Sequence, residues 1–161
     1  MQTGLLNAIP FALASIIMIW WGSRSDRTGE RIWHASAAMI LTAVSLASAL
    51  VFTSLFSIIV ILCLAVIGIY ACKGPVWAVS TEWLSAGAAA AGLAQINAIS
   101  NLAGFGTTYV MGFIKDATGN FSLALVPLVA LAATGAWALV WIGRDFRRAP
   151  DSHTMLAARD A

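Results

Sequence analysis

Long apolar stretches without formal charge constrain this chain more than any other feature of its sequence. Five stretches have at least 18 predominantly apolar residues, and Lys73 is the one charged residue that falls inside them. A helix needs about 20 such residues to cross the hydrocarbon core of a bilayer. The predicted spans are 5–22, 34–52, 55–79, 89–113 and 121–143. The sequence therefore predicts an all-α integral membrane fold with five transmembrane helices.

The composition excludes several other classes of protein. The chain of 161 residues is 60% hydrophobic and 10% charged, whereas soluble domains contain about 25% charged residues. A net charge of +2 leaves no basic face for a nucleic acid. The sequence shows no metal-ligand spacing, no nucleophile–base pair and no phosphate loop, so we predict neither an enzyme nor a bound cofactor or metal.

The distribution of basic residues predicts the orientation in the membrane, because Lys and Arg concentrate in cytoplasmic loops. Seven of the nine Lys and Arg residues lie in the loop after the first span or in the C-terminal tail. The loops on the opposite face hold only Lys115. We therefore predict a transmembrane region over 1–143, a disordered cytoplasmic tail over 144–161, and a periplasmic N-terminus.

The loop after the first span has the sequence GSRSDRTGER, residues 22–31. Gly22 allows two helices to approach closely, Asp26 can cap a helix or pair with an arginine, and Gly29 permits a turn with positive φ. A solvated charged loop placed by the distribution of basic residues is the simpler interpretation. The segment also resembles the G-x-x-x-D-R-x-G-R-R loop of the major facilitator superfamily, in which Arg27 and Arg31 belong to the motif. Glu30 departs from that pattern.

The pattern G-x-x-x-D-x-T-G occurs twice, at 22–29 and again at 112–119. Each copy closes an apolar segment and precedes a short loop. Shared turn chemistry explains it, since Asp and Gly both suit turns. An ancient duplication of the kind that transporters often carry is the less favoured alternative.

A more specific resemblance covers residues 70–119. The run GPVWAVSTEWL at 74–84 is followed by an Ala-rich turn, by QIN at 95–97 and by NLAGF at 101–105. This resembles spans 10 and 11 of the anion:cation symporter family, whose members include bacterial carriers of the tartrate, galactonate and phthalate type. The chain departs from the family's pattern at Val76, Val79, Ser80, Ser100 and Ala103. The resemblance covers nearly the whole chain, as spans 8–12 of a twelve-span carrier.

The resemblance implies proton-coupled uptake of small organic anions, such as sugar acids or dicarboxylates, across the bacterial inner membrane. The implied partners are the lipid bilayer, the anion, the proton and the N-terminal half of such a carrier, since the site lies between two halves. The alternative is a small membrane scaffold, or an inactive truncated carrier with no transport path of its own.

Four residues of the third and fourth spans are candidate substrate-binding residues. If these spans fold back on each other at Gly87, Lys73 lies at the depth of Asn101, and Trp77 lies at the depth of Asn97. Lys73 and Trp77 share one helix face, as do the two asparagines. Lys73 lies about 16 Å from the predicted end of its helix, which is too deep to reach water easily.

An intramembrane lysine is by default a candidate functional group, and we predict that Lys73 is the counter-charge of a substrate carboxylate. By the resemblance, Trp77 and Asn97 match positions that contact substrate. Purely structural roles remain the alternatives: an ion pair with another span for Lys73, hydrogen bonds between helices for the asparagines, and core packing for Trp77. Glu82 lies at the cytoplasmic end of the third span and is predicted to be a gate or a salt-bridge partner.

Overall fold

A computed structural model describes residues 2–52 and 54–148 of the protein. These residues are helical except at short turns, and no strand occurs among them. The helices are α1 Gln2–Thr28, α2 Arg31–Ser48, α3 Leu55–Trp83, α4 Ala86–Thr118, α5 Phe121–Ala124 and α6 Val126–Arg148. The predicted all-α fold is confirmed.

The helices lie at the predicted spans but differ from them at several ends, since α1, α3 and α4 all run past the predicted ends of their spans. α2 ends at Ser48 rather than at residue 52, because the N–H groups of Leu50 and Val51 donate to carbonyls three residues earlier and close the helix with tight turns. α6 continues to Arg148, five residues into the predicted tail. Residues 149–161, the rest of that tail, lie outside the described residues.

Two prolines have different effects on the helices. A Gly-Pro pair is typical of a bend, yet α3 continues through Pro75, whose side chain is fully buried. The fifth predicted span is divided at Leu125 into α5 and α6, and Pro127 lies in the first turn of α6. Proline is tolerated there because first-turn N–H groups have no partner within the helix.

The helices pack against each other through small residues. Eight of the eleven buried hydrophobic residues in the described part are alanines. Gly68 of α3 faces α2 so closely that a Cβ atom there would lie 2.8 Å from the carbonyl oxygen of Ala38. Helices in a bilayer associate through such close packing. Lipid tails are as apolar as leucine, so the hydrophobic effect does not drive large apolar side chains into the helix interface.

Large apolar side chains point outward instead of inward. Phe56 is 77% exposed and Leu102 is 71% exposed. Among the described residues, Leu55–Glu82 and Phe121–Arg144 are long and apolar enough to cross a membrane. An exposed apolar surface of this extent is typical of a membrane protein. Hydroxyl, amide and glycine residues lower the hydropathy of α1, α2 and α4, and their crossing of the bilayer stays a prediction.

The packing of the helices leaves one of them largely uncovered. α3 contacts both α1 and α2, and α6 packs against α2. α4 packs mainly against α5 and has fewer contacts with α3 and α6. Most of the α4 surface is therefore exposed, including Ile99 and Phe105. A space remains between α4 and the other helices, and the candidate site lies in it.

Candidate functional site

A cavity of about 510 Å³ is lined by residues from α2, α3, α4 and α6. This volume falls within the usual range for small-molecule sites, about 300–1,000 Å³. Lys73, Trp77 and Asn97 all line the cavity, so the structure brings together three of the four residues that the sequence singled out. Most of the remaining lining is apolar, contributed by residues such as Leu46 and Leu128.

Among the described residues, Lys73 is the one charged residue that lines the cavity. Its Nζ atom lies 4.4 Å from the centre of the Tyr70 ring, a cation–π contact within the same helix. The Tyr70 ring meets Phe11 of α1 edge-on, with ring centres 5.9 Å apart. Lys73 forms no salt bridge with a described carboxylate, and Asp26 and Glu82 both pair with Arg31. The positive charge of Lys73 is therefore available to an anionic ligand.

The two asparagines of α4 have different surroundings. Asn97 lines the cavity, whereas Asn101 does not. The Asn101 side-chain amide donates to the backbone carbonyl of Asn97 at 2.9 Å and lies 3.4 Å from its side-chain oxygen. These bonds lie within one helix, not between helices. Asn101 is thus placed to orient Asn97, and its own contact with substrate stays a prediction.

Two hydroxyl residues in the lining were not expected from the sequence. Ser100 follows Asn97 by three residues, so helical spacing alone could have identified it. Thr42 comes from α2, far away in the sequence, and no sequence pattern connects it to α3 or α4. The Thr42 hydroxyl donates to the Ala38 carbonyl at 3.0 Å, and the side chain is buried against Gly68 of α3.

A charge cluster joins α1, α2 and α3 at one end of the bundle. Arg31 pairs with Asp26 at 3.3 Å and also with Glu82. Both carboxylates are more than half exposed, while the Arg31 side chain is 26% exposed. Arg27 takes part in neither salt bridge. Glu82 is therefore a salt-bridge partner in this structure, and its role as a gate stays a prediction.

The glycines of the loop motif have the conformations that the sequence suggests. Gly29 adopts a φ of 70°, the left-handed conformation that favours glycine. A Cβ atom on Gly74 of α3 would lie 3.9 Å from the Cα of Gly22. α1 and α3 thus approach closely at Gly22, next to the charge cluster.

Both copies of the repeated pattern form the same helix ending. Gly119 has a φ of 67°, close to that of Gly29. The N–H of each glycine donates to the carbonyl four residues earlier. The hydroxyls of Thr28 and Thr118 do the same. This is a known way for a helix to end at glycine, so shared turn chemistry is sufficient to explain the repeat.

Comparisons with known proteins identify transporters. The chain is 44% identical over 136 residues to a protein of Agrobacterium vitis named as a tartrate transporter, a match that covers 84% of this chain and 31% of that protein. A second protein of that organism with the same name is 39% identical over 153 residues, covering 95% of this chain and 34% of the relative. NicT of Pseudomonas putida, named as a metabolite transport protein, is 35% identical over 125 residues, covering 76% and 28%.

No family model and no solved structure matches the chain. The chain spans about a third of the length of the curated relatives that it matches. The named relatives are transporters and cover most of this chain, in agreement with its two motifs and its all-α membrane fold. The chain thus belongs to the major facilitator superfamily of membrane transporters.

Proposed function

We propose that this chain is part of a proton-coupled carrier that takes up small organic anions, such as sugar acids or dicarboxylates, across the bacterial inner membrane. The observation that carries the proposal is the meeting of Lys73, Trp77 and Asn97 around one cavity. The names of two relatives, which call those proteins tartrate transporters, support the same substrate class.

Each of these side chains has a role that its chemistry suggests. The Lys73 ammonium pairs with a carboxylate of the anion, because an ionised donor forms the strongest hydrogen bonds to carboxylate oxygens. The Asn97 amide offers both a donor and an acceptor to a hydroxyl or a second carboxyl group. Trp77, which is 37% exposed, presents its ring and its indole N–H beside them.

The coupling proton needs a titratable group near the anion, and in membrane carriers that group is commonly a carboxylate. No carboxylate lines the described cavity. We assign the proton-binding group to the part of a carrier that lies beyond this chain's match, since the relatives are about three times as long. The anion then binds between that part and the cavity wall formed here, as expected for a site between two repeats.

Uptake measurements on Lys73→Met test the proposal. In cells that express the protein from its complete gene, this variant should raise the half-saturation concentration for radiolabelled tartrate or a sugar acid about thirty-fold or more. The proposed site lies between two halves of a carrier, which would shield the ion pair from water, and truncating one partner of such a pair costs about 2–5 kcal/mol. Membrane abundance should not fall, since removing an intramembrane charge favours insertion.

Lys115→Met is the matched control, because Lys115 is the one other lysine of the chain and lies near the end of α4. Its half-saturation should equal that of the wild type. A wild-type value in Lys73→Met would instead show that Lys73 has a structural role. Absence of uptake in the wild type with every organic anion offered would favour the scaffold alternative.

A further inference from the structure

One face of α1 changes from apolar to basic along the helix. Leu13, Ile16, Trp20, Arg24 and Arg27 follow each other at intervals of three or four residues and therefore lie on one stripe. All five are exposed, with Ile16 at 67% and Trp20 at 59%. The opposite side of α1 packs against α3. The stripe is thus directed away from the described bundle.

The basic end of this stripe is available to an anion. The Arg24 guanidinium lies 6.0 Å from the centre of the Trp20 ring. At this distance the positive charge is attracted to the face of the indole ring. Neither Arg24 nor Arg27 takes part in the salt bridges of the charge cluster, in which Arg31 pairs with Asp26 and Glu82. The salt bridges of the charge cluster therefore do not use the guanidinium donors of Arg24 and Arg27.

We propose that this stripe binds an anionic phospholipid. The headgroup phosphate lies between Arg24 and Arg27, Trp20 lies at the level of the glycerol, and an acyl chain runs along Ile16 and Leu13. Guanidinium groups bind phosphate with two parallel hydrogen bonds. Tryptophan favours the boundary between headgroups and hydrocarbon.

The dimensions agree with one lipid molecule. Arg27 and Leu13 are 14 residues apart in sequence, or about 21 Å along the helix. One leaflet contributes about 15 Å of hydrocarbon, half of the bilayer core, and the headgroup adds to that length. A soluble phosphate would use the arginines but would leave the apolar half of the stripe without a partner, so the occupant is a lipid.

Native mass spectrometry of the purified chain tests the lipid site. Offered phosphatidylglycerol and phosphatidylcholine in equal amounts, the protein should retain phosphatidylglycerol preferentially. Arg24→Gln and Arg27→Gln should each weaken that retention about five-fold, and the double variant about twenty-five-fold, because a basic residue near an anionic lipid contributes about 1 kcal/mol. Lys115→Gln removes an exposed cation outside the stripe and should retain the lipid as the wild type does.

Four results would overturn the inference. Equal retention of the two lipids would remove the preference for an anion, and an equal loss in Lys115→Gln would show a general effect of charge. Displacement of the lipid by millimolar inorganic phosphate would show a site for a small anion. In membranes of cells that express the complete gene, a photo-crosslinking amino acid at position 16 should capture lipid. Capture of a protein segment instead would show that the stripe is a protein interface.

Discussion

The ammonium of Lys73 lies 4.4 Å from the ring centre of Tyr70, which precedes it by three residues in α3. The Tyr70 ring also contacts Phe11 of α1 edge-on. A lysine side chain has four rotatable bonds, and holding it in one place costs conformational entropy. The ring lowers that cost before the substrate arrives. We expect Tyr70 to position Lys73 rather than to contact the anion.

Replacing Tyr70 should therefore change affinity for the anion and leave the maximal rate unchanged. Tyr70→Leu removes the aromatic face and should raise the half-saturation concentration about two- to five-fold, since an exposed cation–π contact contributes about 0.5–1 kcal/mol. Tyr70→Phe keeps the ring and should transport as the wild type does. Initial rates of uptake over a range of anion concentrations give both constants.

A double-mutant cycle separates positioning from a structural role. In a Lys73→Met background, Tyr70→Leu should have no further effect, because the group that it positions is absent. Equal effects of Tyr70→Leu in both backgrounds would contradict the positioning role. Tyr109→Leu is the matched control, because Tyr109 is the one other tyrosine and is 70% exposed on α4.

The two asparagines should differ in their contributions to binding. Asn97→Ala removes a group that lines the cavity and should raise the half-saturation concentration about two- to ten-fold, the range expected for one neutral hydrogen bond. Asn101→Ala should have a smaller effect, since Asn101 bonds to Asn97 and lies outside the lining. A larger loss of affinity in Asn101→Ala than in Asn97→Ala, measured by uptake at matched membrane abundance, would contradict this assignment.

The sequence predicted the composition of this site better than its shape. Spacing from the turn near Gly87 placed Trp77 and Asn97 at one depth, and both line the cavity. Periodicity also grouped Asn97 with Asn101, but it could not show how far α4 is rotated relative to α3. That rotation places Ser100 in the lining instead of Asn101. The walls from α2 and α6 could not be predicted, because they depend on packing between helices distant in sequence.

For the charge cluster, the sequence predicted which residues could pair but not how they are arranged. The loop motif predicted that Asp26 could pair with an arginine, and Glu82 was expected to gate or to form a salt bridge. The turn at Gly29 and the close approach of α1 to α3 bring both carboxylates to the single guanidinium of Arg31. Pairing of one arginine with both carboxylates requires the ends of three helices to lie close together, and no local pattern in the sequence predicts that arrangement.

This sharing predicts a non-additive set of variants. Asp26→Asn and Glu82→Gln should each have a small effect on transport, because Arg31 keeps its other partner and an exposed pair contributes about 0.2–1 kcal/mol. The double variant should lower the maximal rate by more than the product of the two single effects. Arg31→Gln should match the double variant. Half-saturation should stay unchanged, since Glu82 lies nine residues beyond Lys73 in α3, about 14 Å away.

Additive effects in the double variant would show that the two salt bridges act independently. A raised half-saturation concentration in Arg31→Gln would instead connect the charge cluster to the anion site. Both constants come from the same uptake measurements, with membrane abundance determined for each variant.

Reporter fusions should reveal the orientation of the helices. A reporter fused after Arg148, at the end of α6, should be cytoplasmic, and one fused after Asn120 should be periplasmic. The reason is the excess of basic residues in the loop and tail that share the Arg148 side. Alkaline phosphatase and green fluorescent protein report opposite sides. A periplasmic fusion at Arg148 would contradict the assignment of five spans.

The chain of 161 residues should not transport when it is reconstituted by itself. Its cavity is walled by α2, α3, α4 and α6, and the surface of α4 beyond it is largely exposed, with Phe105 at 71%. Alternating access requires a second repeat that closes the site from each side of the membrane in turn. Proteoliposomes with an imposed pH gradient should therefore show no saturable accumulation of radiolabelled tartrate above protein-free liposomes. Circular dichroism of the same preparation should show a highly helical protein, so that inactivity is not attributed to unfolding. Saturable uptake by the folded chain would contradict this prediction. It would mean that copies of the chain close each other's sites, and crosslinking between copies should then detect that assembly.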